Sequence, residues 1–212
     1  MKTSVIIPVK SFQKSKTRLQ LSEEKTIELC RLLLREVIRT VSESGLIDKI
    51  IVVTNEDQVS DIIKEYDCEK IPDVNEESVN NAVGLAESYL LENKFTHSIV
   101  LPLDVPFFYS EDIEKLLNFS EAKSVVIVPS RHFDGTNALL RTPIDSMKPR
   151  YDEGSYSFQI ESAKNFDVKI CVGLIYRLML DIDSVEDLEF VIKQNIKPEF
   201  CSKIKEIMKH YS

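Results

Sequence analysis

Five short stretches of this chain carry residue types whose spacing suits chemistry. The first, PVKSFQKSKTRL at Pro8–Leu19, sets Lys10, Lys14, Lys16 and Arg18 within nine residues. A negative polyphosphate needs such cationic donors, with lysine as a point charge and arginine as a two-pronged fork. The second, LPLDVP, presents Asp104 just past an apolar run. A carboxylate so placed suits a hard cation, and Mg2+ usually takes one or two carboxylates, completing its shell with phosphate oxygens and water. The third is Asp181-Ile182-Asp183, whose alternation on an extended chain sends both acids to one side. The fourth, Asp134-Gly135-Thr136-Asn137, offers two polar side chains beside a glycine that permits close backbone approach. In the fifth, Gly154 and Ser155 open a helix whose N-terminus and hydroxyl suit a phosphate or carboxylate. Each stretch read alone also has an ordinary structural meaning: a solvated basic loop, a capping or solvent-facing aspartate, a D-G turn or a helix cap.

The elements that must position these groups alternate along the chain. Ser4–Val9, Lys49–Thr54, Ser98–Leu103 and Ser124–Pro129 are β-branched or apolar runs that read as buried strands, with a shorter one at Cys68–Ile71. Ser22, followed by Glu23 and Glu24, predicts a helix start, apolar residues recur at Ile27, Cys30, Leu34, Val37 and Val41, and Gly45 stops the pattern. Further helices are predicted at Asp57–Tyr66, from Ser78 to Asn93, and after Ser110 as a cap. Beyond these come Ser155–Asn165, Val185–Gln194 and Pro198–Tyr211. Ala138–Leu140, Lys169–Tyr176 and Leu178–Asp183 read as extended, and Pro143–Gly154 as the one long loop. This β-α-β-α order predicts an α/β protein with a mostly parallel sheet covered by helices on both faces. Ligands in such sheets sit beyond the carboxyl ends of the strands, where the first, second and fourth stretches fall. With no linker or repeat, one domain over residues 1–212 is expected.

Composition narrows the classes. The 212 residues carry a net charge of −8, with 43 % hydrophobic and 29 % charged residues, as a globular chain does. The acidic balance argues against a nucleic-acid partner, and no apolar run is long enough for a membrane span. Four scattered cysteines without a C-x-x-C pair suggest reduced thiols in a cytoplasmic protein. Three scattered histidines (His97, His132, His210) and the absence of a G-x-S-x-G elbow leave nucleophilic catalysis and zinc without support. Five glycines, far below an ordinary share of about 7 %, rule out a Walker A loop and a G-x-G-x-x-G turn.

Taken in order, PVKSFQKSKTRL, ESVNNAV, LPLDVP, DGTNALLRTP, YDEGSYSFQIESAKN and LDIDSVEDL resemble the 2-phospho-L-lactate guanylyltransferase (CofC) family along nearly the whole chain. The resemblance implies a three-layer α/β/α, Rossmann-like nucleotidyltransferase fold with a mostly parallel mixed sheet. It implies transfer of a guanylyl group from GTP to the phosphate of 2-phospho-L-lactate, or of a related three-carbon acid such as phosphoenolpyruvate. Pyrophosphate is released, in deazaflavin coenzyme biosynthesis. By the same resemblance Lys10, Lys16 and Arg18 hold the triphosphate and Asn80 lies near the base or ribose. Asp104 and Asp181, with Asp183 beside them, hold Mg2+, and Lys16, Arg18 and Asp104 form the catalytic set. Thr136, Asn137, Gly154 and Ser155 meet the phosphorylated acid. A homodimer is also implied. Two positions depart from the family pattern: Ser15 replaces a small apolar residue, and Asp152 stands where a glycine is expected. Two rival readings are a sugar-phosphate or molybdopterin nucleotidyltransferase of the same fold and a non-catalytic nucleotide-binding subunit. The first usually opens with a glycine-rich loop, which Pro8–Arg18 lacks. The second has no need of both Asp104 and Asp181.

Overall fold

β-Branched residues pack well on a pleated surface covered on both sides, and the runs rich in them become the strands of one sheet. The computed structural model describes residues 2–76, 78–152 and 154–209, with every side chain but that of Lys14. In chain order the elements are β1 (Thr3–Pro8), α1 (Glu23–Glu43), β2 (Lys49–Val53), α2 (Ser60–Glu65), β3 (Glu69–Ile71), α3 (Val79–Glu92) and β4 (His97–Val100). They continue with α4 (Ser110–Asn118), β5 (Ser124–Pro129), β6 (Thr136–Thr142), α5 (Ser155–Asn165), β7 (Lys169–Val172), α6 (Val185–Gln194) and α7 (Pro198–Met208).

The seven strands lie in the order β3-β2-β1-β4-β6-β5-β7. All neighbours are parallel except β6, which runs against both β4 and β5. Period-two alternation divides each strand between two apolar layers. Val5 and Ile7 of β1 join α1, α2, α4, α6 and α7 on one face, while Ile6 joins α3 and α5 on the other. The expected three-layer α/β/α arrangement with a mixed, mostly parallel sheet is therefore present. Reversal of β6 has a consequence for function: its first residues, Thr136 and Asn137, lie at the same end of the sheet as the last residues of β1 and β4.

Several local expectations shift. The run Leu178–Asp183 is no strand; a 3-10 turn at Tyr176–Met179 leads into an extended segment tied by Ile182 N–H to the Asp104 carbonyl at 3.0 Å. Strand β7 stops at Val172: Gly173 N–H still donates to the Ile127 carbonyl of β5 at 2.9 Å, and the chain then turns, Ile175 N–H donating back to the Gly173 carbonyl at 3.0 Å. Strand β4 ends at Val100, two residues before Pro102, which has no N–H for a ladder. Ser110 is the first helical residue of α4 and not its cap; Tyr109 holds that place, its N–H donating to Asp112 Oδ2 at 3.0 Å. The Asp57–Tyr66 helix divides into a 3-10 turn and α2, and Pro143–Gly154 contains a 3-10 turn at Ile144–Ser146. Glu153, His210 and the expected helix end at Tyr211 lie outside the described residues. Among the described residues no helix is long and apolar enough to cross a membrane, and the four cysteines are unpaired.

Candidate active site

Beyond the carboxyl ends of β1 and β4 and the first residues of β6 opens a cavity of about 360 Å3. Lys10, Lys16, Asp104, Asp181 and Asp183 line one part of it. Lys16 stands between two 3-10 turns at φ 54°, a left-handed conformation that a β-carbon disfavours. Its side chain is nearly buried, and Nζ donates to Asp104 Oδ2 at 2.8 Å and to Asp183 Oδ1 at 2.7 Å. Burial by itself would lower the ammonium's pKa, but the charges of Asp104 and Asp183 outweigh it and hold Lys16 above its ordinary value. Asp181 accepts from Asn137 Nδ2 at 3.2 Å. Burial first, and the Asp104 charge second, push its carboxyl up to about 6. Carboxylates 77 residues apart in the chain are thus held side by side, and the backbone bond from Ile182 to Asp104 does the joining.

Capping hydrogen bonds hold the segments that carry these side chains. Ser184 starts α6 in a capping box, its hydroxyl accepting from Asp187 N–H at 3.2 Å while the Asp187 carboxylate receives Ser184 N–H at 3.0 Å. Asp187 also receives Asp183 N–H at 3.3 Å and Arg131 at 2.8 Å. Asp183 is therefore anchored through its backbone, and its side chain is left for the cavity. On the β6 side, Ser155 Oγ donates to Thr136 Oγ1 at 3.1 Å, and Gly154 precedes it at φ +73°, where glycine is favoured. Ser130 organises the 130–135 turn, donating to Asp134 Oδ1 at 2.6 Å and accepting from Gly135 N–H at 3.1 Å. A β-carbon at Gly135 would lie in ordinary contact with Ser130, so the turn itself does not demand glycine.

Lys10, Lys16, Asp104, Thr136, Asn137, Asp181 and Asp183 all share the cavity wall. Gly154 and Ser155 do not reach it; Ser155 stands behind Thr136 as its hydrogen-bond partner. Arg18 is exposed and off the wall. Asn80 lies on the first turn of α3, its Oδ1 accepting from Tyr151 N–H at 2.7 Å, so it fixes a segment that contributes Tyr151 to the wall. Of the histidines, His97 opens β4 as expected, and His132 is exposed near Asp187. Asp73, on the same wall beyond β3, escaped the sequence reading. Its signal was available: Ile71-Pro72-Asp73 repeats the strand, proline, acid order of Leu101–Asp104.

The family model for "Guanylyl transferase CofC like" matches residues 3–205. The chain belongs to the CofC-like guanylyltransferases. This CofC-like chain is 30 % identical over 193 residues to a phosphoenolpyruvate guanylyltransferase of Conexibacter woesei, covering 89 % of the chain and 86 % of the relative. It is 27 % identical over 206 residues to a 2-phospho-L-lactate guanylyltransferase of Methanobrevibacter smithii, covering 95 % and 89 %. A third relative is a 3-phospho-D-glycerate guanylyltransferase of Colwellia psychrerythraea, 30 % identical over 195 residues, covering 90 % and 91 %. Among solved structures, a nucleotidyl transferase from Methanothermobacter thermautotrophicus superposes with a TM-score of 0.68 at 11 % identity, covering 93 % of this chain and 99 % of that one. A 4-diphosphocytidyl-2C-methyl-D-erythritol synthase from Anaerococcus prevotii superposes at 0.62 and 16 % identity, covering 89 % and 95 %. Those two likenesses establish that the CofC-like chain shares their fold.

Proposed function

We propose that this chain transfers the guanylyl group of GTP to the phosphate of a phosphorylated three-carbon carboxylic acid, of the kind that its relatives' names specify. What supports this most is the buried Lys16 ammonium held between Asp104 and Asp183 on the wall of a cavity that Asp181 also lines. An acceptor phosphate oxygen forms a bond to the α-phosphorus, the bond from that phosphorus to the β-phosphate bridging oxygen breaks, and pyrophosphate leaves with the electron pair. The attacking oxygen is already anionic, so neither a protein nucleophile nor a general base is needed, and no cysteine or histidine stands on the described wall. The protein's contribution is alignment and charge. Lys10 and Lys16 supply cations toward the phosphates, Arg18 adds positive charge from the adjoining turn, and Thr136, held by Ser155, and Asn137, bonded to Asp181, supply polar groups from β6.

The donor set fits a divalent cation such as Mg2+. The carboxylates of Asp104, Asp181 and Asp183 on one cavity wall would repel a polyphosphate, and Asp104 and Asp183 already draw in the Lys16 ammonium. Among the described residues no three His, Cys, Asp or Glu side chains form a group that could hold a metal ion by themselves; Mg2+ usually takes one or two carboxylates and completes its shell from substrate and water. Asp104 and Asp181 would hold it, with Asp183 adjoining. When bound, it would neutralise charge on the phosphate oxygens.

The test is pyrophosphate release with GTP, Mg2+ and, in turn, 2-phospho-L-lactate, phosphoenolpyruvate and 3-phospho-D-glycerate. Release that requires both GTP and one of the acids is expected; the acid preferred decides whether the product belongs to deazaflavin coenzyme synthesis. No release with any pairing of nucleoside triphosphate and acid would remove the proposal.

A further inference from the structure

We infer that Asp73 selects the base of the nucleotide, accepting hydrogen bonds from the ring N–H of guanine and from the exocyclic amine beside it. This rests on the guanylyl-transfer reading of the same cavity and names, within it, the group that chooses among nucleotides. Asp73 follows β3, the strand at one edge of the sheet, whereas Asp104 and Asp181 belong to its middle. The residue is 6 % exposed, yet it lines the cavity. Its Oδ1 accepts from Asn81 Nδ2 at 3.0 Å, and Asn81 is itself fixed by its N–H donating to the N-cap Ser78 hydroxyl at 3.1 Å. No described residue donates to Oδ2 and no ion pair forms, and Oδ2 is not among the buried polar atoms sealed away without a partner. A carboxylate mostly enclosed by protein, with one oxygen held by Asn81 and the other open to the cavity, is placed to accept from a ligand donor there.

The cavity's two parts differ in a way that orients a nucleotide. Lysines and acids serve the phosphates; the wall also carries apolar Val79 and Ala82, on the helix whose Asn81 bonds Asp73, as the faces of a planar base require. Among the common bases only guanine sets two N–H donors side by side on its pairing edge. Adenine and cytosine put a ring acceptor next to their amine, which would face the carboxylate lone pairs, and uracil flanks one donor with two carbonyls. A polar site of this kind rejects a mismatched partner strongly, because its own groups are then left unpaired.

Asp73→Asn keeps an acceptor for Asn81 and replaces the other oxygen by an amine. Xanthine carries a carbonyl where guanine carries its exocyclic amine, so the variant is expected to lose about 100-fold in kcat/KM and in binding for GTP and to prefer XTP over GTP. In the unaltered protein ITP, which lacks the exocyclic amine, is expected to bind at least 10-fold more weakly than GTP. Both nucleotide binding, by competition, and pyrophosphate release are measured, so the two claims separate. GTP selectivity in binding that Asp73→Asn converts to XTP, without release to any acid, upholds Asp73 and removes the transfer proposal. Release that Asp73→Asn leaves as selective for GTP as before overturns the assignment of Asp73. ITP binding as tightly as GTP to the unaltered protein overturns it too, with no variant needed.

Discussion

Two lysines are buried almost equally, Lys16 with 7 % and Lys197 with 5 % of the side chain exposed, and they do opposite things. Lys197 Nζ donates to Glu36 Oε1 at 2.6 Å, Thr40 Oγ1 at 3.0 Å and the Pro106 carbonyl at 2.8 Å, so all three of its N–H groups are met. The Phe108 and Tyr109 rings close over it. One carboxylate and two neutral oxygens do not repay its burial, which pulls the pKa below the ordinary lysine value. Lys16 instead meets two carboxylates, with a third beside them, in a wall open to a cavity. The contrast separates a charge that ties helices together from charges gathered for a ligand. Both clusters hang on one segment: Asp104 belongs to the cavity, and two residues later the Pro106 carbonyl belongs to the anchor.

Substitutions sharpen this contrast, and the greatest effect is expected at Asp104. Asp104→Ala should lower pyrophosphate release about 1,000-fold or more while the thermal melt stays close to that of the parent. Lys197→Met should do the reverse: it removes three buried hydrogen bonds and leaves Glu36 with Arg39 as its remaining cation, lowering stability in urea titration by about 1 to 3 kcal/mol, with kcat per folded molecule unchanged. Equal loss of activity in both, with both melts intact, would erase the distinction between the two lysines.

Acids in the two regions should respond to pH with opposite signs. Asp181, raised to about 6 by burial and by Asp104, holds its proton more tightly when folded, so stability falls as pH rises from about 4 to 6 and stays reduced above. In chelator-containing buffer Asp181→Asn should therefore be more stable than the parent at pH 8, by about 1 to 3 kcal/mol, and the gain should vanish near pH 4. Asp112 lies by the anchor, where Arg177 donates to it at 2.6 and 2.7 Å. Burial opposes its ionisation, yet the bonds from Arg177 and Tyr109 hold its carboxyl below the ordinary value. Its contribution is present above the ordinary carboxylate value and is lost as pH falls through the depressed one. Asp112→Asn should cost about 1 to 2 kcal/mol at neutral pH and progressively less in acid. Melting curves at pH 4, 6 and 8 check both; a gain for Asp181→Asn that grows toward pH 4 would contradict the packing of the carboxylates.

The β-branched runs, their period-two alternation and the spacing of apolar residues on α1 were enough to announce an α/β sheet covered on both faces, since these patterns are local. Asp104 was visible because an acid directly after an apolar run is conspicuous. Asp181 and Asp183 were visible as a pair, but on a strand that does not exist; an extended segment held by one backbone bond serves instead. Asn80 and Ser155 were singled out as ligand contacts, and their side chains are taken up by Tyr151 and Thr136. Nothing in a linear motif says whether a polar side chain will be consumed by the protein.

The residue types determined what chemistry was open to this chain. Its five glycines form no Walker A loop or G-x-G-x-x-G turn, which in the proposed reaction leaves the phosphates to side-chain cations near its start. The acids past its strand ends offered the complement. Tertiary structure alone decided which charges meet: reversal of β6 brings Asn137 to Asp181, the Ile182–Asp104 bond closes a gap of 77 residues, and Lys16 in a left-handed turn reaches both Asp104 and Asp183. The reason is physical. Electrostatic contacts fall off with distance in space and are indifferent to distance along the chain, so only the packed sheet could turn scattered carboxylates into one site.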